Sequence, residues 1–120
     1  MIRVLVVDDH EMIRTSVSEA LGAALDIEVV GSCVDGQEAL GAAAVSRPDV
    51  VLMDLSMPRL DGVEATRRLM AHEPGTRVVI FTSAVRGRQV NEALAAGAVS
   101  CVFKNADTSE VIAAVRAAVA

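Results

Sequence analysis

The sequence predicts a single α/β domain, with five β–α units building one doubly wound parallel sheet. Three observations carry that expectation. Short β-branched runs alternate with longer, alanine-rich stretches of helical period. The short runs are apolar almost throughout, as in strands covered on both faces. No linker, repeat or low-complexity tract interrupts the series, so 1–120 reads as one domain.

In chain order the strand candidates are "IRVLVV", "IEVVGSC", "DVVLMD", "RVVIFT" and "SCVFK". Between and after them, residues 10–24, 36–46, 62–72, 86–96 and 108–119 carry apolar side chains at helical spacing, as with Val111, Val115 and Val119. Asp8, Asp35, Asp61 and Asp107 are each followed three residues later by Glu11, Glu38, Glu64 and Glu110. An acid at the helix N-cap with Glu at the third helical position is an aspartate form of the capping box. Pro48 and Pro74 close the second and third helices, and Gly97 suits a left-handed end to the fourth. Arg86 and Arg88 read as the solvated start of that helix, with a partner contact as the alternative.

With 120 residues there is enough chain for one sizeable core, filled by Val, Ile, Leu and Ala because only 2% of residues are aromatic. A net charge of −5 without a basic run argues against gripping nucleic acid by its phosphates. The two cysteines form no framework or zinc spacing and read as small apolar groups. No stretch is long enough to span a bilayer, and the N-terminus is not a signal peptide, so the cytoplasm is expected. His10 and His72 read as surface or cap-adjacent residues. Met12, Met53, Met57 and Met70 read as core or rim packing.

The caps sort the aspartates. Asp35, Asp61 and Asp107 have a sufficient structural role, and Asp8 has a possible one. Asp9 and Asp54 have none. In open α/β sheets ligands bind beyond the carboxyl ends of the strands. Those ends carry Asp8-Asp9, Cys33, Asp54, Thr82 and Lys104 in order. Carboxylates brought together repel unless a cation joins them, and an all-oxygen set favours Mg²⁺, with Mn²⁺ as the alternative, over zinc. Thr82 offers a hydroxyl to a phosphoryl oxygen. Lys104, the one lysine among eleven basic residues, offers a compact charge that arginine does not replace.

"VLVVDDH", "DVVLMDLSMPRLDG", "VVIFTSA" and "GAVSCVFK" together resemble the receiver domains of bacterial two-component response regulators, nearest the subfamily with LuxR-type helix-turn-helix output domains. The resemblance implies a flavodoxin-like sheet of order 2-1-3-4-5, which places the first and third strands side by side. It implies Asp54 as phospho-acceptor, Asp9 as a direct metal ligand, Asp8 acting largely through metal-bound water, and the Ser56 backbone carbonyl completing the set. Thr82 matches the switch hydroxyl and Lys104 the phosphate-contacting lysine.

The same resemblance implies a sensor histidine kinase as phosphoryl donor and a homodimer formed on phosphorylation through the first and last helices. DNA would be met only through an output domain outside this chain, unless the chain is a stand-alone relay; no membrane contact is expected. Two positions depart from the family pattern. Cys101 stands where an aromatic usually partners the switch hydroxyl, and Asn105 where proline usually follows the lysine. Two other classes compete. A phosphatase or phosphotransferase working through an aspartyl-phosphate would carry a second acid where Ser56 stands, and a flavin module would need aromatic stacking.

Overall fold

The computed structural model describes residues 1–83 and 87–120. It alternates β1 (Ile2–Val7), α1 (Glu11–Gly22), β2 (Ile27–Cys33), α2 (Gly36–Ser46), β3 (Val50–Met53), α3 (Gly62–His72), β4 (Arg77–Thr82), α4 (Arg88–Ala95), β5 (Ser100–Phe103) and α5 (Thr108–Ala118). The five strands are parallel in the order β2-β1-β3-β4-β5, as expected.

Why the strands are apolar on successive residues is now visible. Side chains alternate across a strand, so each run feeds two cores. Leu5, Val7, Val51, Met53, Val78 and Ile80 face α2, α3 and α4. Val4, Val6, Val50, Leu52, Val79 and Phe81 face α1 and α5. Burying an aliphatic side chain of this size contributes about 1.5–3 kcal/mol, and both layers are continuous.

Two of the four expected caps form as read. The N–H of Glu38 donates to Asp35 Oδ1 and that of Glu64 to Asp61 Oδ1, each at 2.9 Å. Asp107 holds the N-cap position of α5 without a side-chain cap bond. Asp8 is not a cap: His10 occupies that position for α1, and Asp8 Oδ1 accepts instead from the His10 N–H at 2.9 Å. The carboxylate is thereby released for the strand-end cluster. Arg47 ends α2 in the left-handed region just before Pro48, and Gly97, with φ of 121°, follows α4.

Met53 is fully buried, and Met57 and Met70 pack at the core edge, but Met12 stands exposed on α1. Cys33 and Cys101 sit on opposite edge strands as free thiols. Arg88 is exposed and ion-paired with Glu92, four residues along α4, at 3.3 Å. Arg86 and the last residue of "VVIFTSA" lie outside the described residues.

Candidate functional site

Register brings the acids together. Val7 of β1 pairs with Met53 of β3, so Asp8 and Asp54 leave adjacent strands at the same level. The ladder runs on past both strand ends: the Asp54 N–H donates to the Val7 carbonyl and the Asp8 N–H to the Cys33 carbonyl, each at 3.0 Å. Both carboxylates are buried. Ligand atoms of Asp8, Asp9, His10 and Asp54 all lie within 4.8 Å of one another.

Lys104 reaches in from the far end of β5. Its N–H donates to the Thr82 carbonyl at 2.8 Å, and its ammonium lies 2.7 Å from Asp8 Oδ2 and 3.2 Å from Asp54 Oδ1. The Phe81 ring centroid is 5.8 Å from the same nitrogen, a cation–π contact that helps aim it. Thr82, buried, closes β4; continuing the Met53–Ile80 register places it one residue beyond the level of Asp54. Ser56, whose carbonyl was an expected metal contact, is exposed in the loop after β3.

That loop is pinned at both ends. Gly62, the first residue of α3, packs so closely that a Cβ there would lie 2.1 Å from the Asp54 carbonyl oxygen. Its N–H donates to the Leu55 carbonyl at 2.9 Å. Further along, Arg59 adopts a positive φ of 66° and its Nε donates to Asp35 Oδ2 at 2.7 Å. Asp35 is therefore more than the cap it was read as: it also tethers the loop that carries Asp54. Sequence reading had no signal for this tether, because the two residues are joined only by tertiary packing.

Electrostatics mark Asp54 as the unusual group. Burial first, then the neighbouring Asp8, pushes its carboxyl above the ordinary range, and Lys104 only partly opposes the shift. For Lys104 burial acts to lower the ammonium, but Asp8 and Asp54 outweigh it and leave the lysine above its usual value. Asp54 Oδ1 accepts from the Leu55 N–H at 2.9 Å, whereas Oδ2 is buried with no hydrogen-bond partner. An orphaned oxygen on a buried carboxylate that clusters with two further acids is a fit for a hard divalent cation, which would be held by Asp8, Asp9 and Asp54.

A model of the response regulator receiver domain matches residues 4–116. The chain belongs to that family.

Among curated relatives, the transcriptional regulatory protein LiaR of Bacillus subtilis is 41% identical over 118 residues, covering 98% of this chain and 56% of LiaR. The response regulator protein VraR of Staphylococcus aureus is 43% identical over 115 residues, covering 96% of this chain and 55% of VraR. The receiver thus spans about half the length of these relatives. Among solved structures, the signal receiver domain of the putative response regulator NarL from Mycobacterium tuberculosis superposes with a TM-score of 0.92 at 34% identity, over 97% of this chain and 94% of that one. The LuxR-type likeness read from the motifs agrees with a two-component response regulator of the LuxR family from Aurantimonas sp. SI85-9A1, which superposes with a TM-score of 0.90 at 32% identity, over 96% of this chain and 82% of that one.

Of the expected site residues, the receiver brings Asp8, Asp9, Asp54 and Lys104 into one cluster, with Thr82 at its edge. His10, read as a surface or cap-adjacent residue, is exposed and is the N-cap of α1, and it also borders the cluster: its Nδ1 lies 3.2 Å from Asp8 Oδ1 and 3.1 Å from Asp9 Oδ1. Its place directly after the two acids was the available signal.

Proposed function

We propose that Asp54 accepts a phosphoryl group from the phosphohistidine of a sensor kinase and that the resulting acyl phosphate switches the receiver to control transcription. The observation that supports this most directly is the buried Asp54 carboxylate, with one oxygen anchored by the Leu55 N–H and the Lys104 ammonium, and the other unpartnered. A lone pair of the Asp54 carboxylate attacks phosphorus in line. The P–O bond to Asp54 forms as the P–N bond to the kinase imidazole breaks, and the bonding pair leaves on that nitrogen.

Lys104 holds positive charge against the equatorial oxygens, where charge is greatest in the transition state. Bound Mg²⁺ would supply further charge neutralisation there and reduce the repulsion among the acids. In the product Lys104 can follow the phosphoryl oxygens, loosening its contact with Asp8, and the Thr82 hydroxyl can move toward them. About 3 kcal/mol of state-selective contact suffices to change two populations roughly a hundredfold.

With Ser56 where a second acid would serve a hydrolase, the receiver turns over no external substrate. Control of transcription follows the name of LiaR, and with a net charge of −5 the receiver would leave DNA contact to an output domain. Phosphorylation would promote pairing of two receivers through α1 and α5, which enclose a groove of about 330 Å³ lined by Met12, Ile13, Val17, Phe81, Lys104 and Val111. A cytoplasmic location suits a kinase partner, and among the described residues no helix is long and apolar enough to cross a membrane.

Acetyl phosphate with Mg²⁺ should add one phosphoryl group to the wild type, found by mass spectrometry as a base-labile mark on Asp54. A folded protein that gains no such mass, or an Asp54→Ala variant that gains it equally, would overturn the proposal.

A further inference from the structure

We propose that the His10 imidazole is itself a ligand of the cation site, so that this receiver favours first-row transition cations of the cobalt type over Mg²⁺ more strongly than an all-oxygen site would. The inference rests on the cation-dependent reading of the Asp54 cluster and deepens it.

Three observations point the same way. First, His10 Nδ1 lies almost equally far from Asp8 Oδ1 and Asp9 Oδ1, at 3.2 and 3.1 Å. With a proton, that nitrogen could at most share one three-centre hydrogen bond between the two carboxylates; with its lone pair instead, it can complete a cation site with them. Adjacent corners of an octahedron with bonds of about 2.1 Å are about 3 Å apart, and opposite corners about 4.2 Å. The His10 nitrogen, 3.2 and 3.1 Å from the Asp8 and Asp9 oxygens, matches adjacent corners, and the four groups, within 4.8 Å of one another, would contract slightly onto a cation.

Second, the Asp54 carboxylate, one of the clustered groups, is buried and keeps one oxygen, Oδ2, without a hydrogen-bond partner, which favours a cation among these groups over a salt link between His10 and one acid. Third, His10 is held in place by its backbone. Its N–H donates to Asp8 Oδ1, and the Asp8 carbonyl is gripped by Arg14 Nη1 at 2.8 Å. The imidazole is otherwise exposed, so Nδ1 can turn to a cation while Nε2 keeps its proton toward solvent.

The consequence is chemical selectivity. Imidazole suits cobalt, nickel and zinc, whereas Mg²⁺ prefers oxygen and keeps its water. Losing the imidazole should therefore matter far more to Co²⁺ than to Mg²⁺. The test is calorimetric titration of the full 120-residue chain with Co²⁺ and separately with Mg²⁺, alongside the Co²⁺ visible absorption band. His10→Ala is the probe and His72→Ala, on the exposed end of α3, is the control for adventitious imidazole binding.

His10→Ala is expected to weaken Co²⁺ binding on the order of tenfold or more and to change Mg²⁺ binding less than about threefold, with a shifted absorption band. His72→Ala should change neither. An unchanged Co²⁺-to-Mg²⁺ ratio in His10→Ala, or a loss of Co²⁺ affinity in His72→Ala, would overturn the inference while leaving the phospho-acceptor reading intact. Failure of the wild type to bind either ion would overturn both.

Discussion

Replacing Asp54 by Asn should make the metal-free receiver more stable, although it removes the proposed phospho-acceptor. The magnitude follows from the cluster. At an effective dielectric constant of about 20, the Lys104 ammonium 3.2 Å from Asp54 Oδ1 is worth about 5 kcal/mol of attraction. Asp8, with ligand atoms within 4.8 Å, contributes at least about 3.5 kcal/mol of repulsion, and solvent-exposed Asp9 adds a screened fraction of that. Lys104 keeps Asp8 when Asp54 is neutral, whereas the cost of burying the second charge disappears.

The ion terms leave about 1 kcal/mol in favour of the charge, and removing a burial cost of several kcal/mol outweighs it, so Asn is favoured by about 2 kcal/mol, a rise in Tm of roughly 8 °C for a domain of this size. The pH dependence has a definite sign. The folded Asp54 carboxyl lies above its ordinary 3.8, so its ionisation weakens folding above the folded pKa, and the penalty vanishes as pH falls toward 3.8. The advantage of Asn should therefore be largest near neutrality and close in acid. Thermal unfolding followed by circular dichroism in EDTA measures it. Adding Mg²⁺ should raise the wild type more than the variant and narrow or reverse the gap, since a ligand at about 100 times its Kd adds about 2.7 kcal/mol. A variant that unfolds below the wild type in EDTA at pH 7 would refute the reasoning.

Two further outcomes follow from the packing. Gly62→Ala forces a Cβ to within 2.1 Å of the Asp54 carbonyl oxygen, so denaturant unfolding should show a loss of about 2–4 kcal/mol and the displaced loop should accept phosphate more slowly. Burial, reinforced by Glu38 and Asp35, pushes the Cys33 thiol up to about 11, so iodoacetamide at pH 8 should modify half-buried Cys101 well before Cys33, as read by peptide mass mapping.

Local signals made the elements legible. Apolar runs marked the strands, and the Asp–Glu pairs at 35/38 and 61/64 marked helix starts that form as read, because a cap is satisfied within four residues of chain. The same rule failed at Asp8, where the identical spacing exists but the carboxylate is drawn to Lys104, nearly the whole chain away in sequence. Met12 failed for a related reason: helical period places it on α1 without saying which side the sheet covers.

By itself the sequence determined the alternating β–α order, the family, and the identity of Asp8, Asp9, Asp54, Thr82 and Lys104 as strand-end groups, since each depends on residue type and short-range spacing. Only the tertiary structure decided which of them meet and what else joins them. The Val7–Met53 register sets the two buried acids level, the Arg59–Asp35 tether fixes the intervening loop, and the turn after Asp9 brings His10 into the cluster. Those choices rest on long-range pairing and on the shared cost of burying like charges, and neither quantity is written in any local stretch of residues.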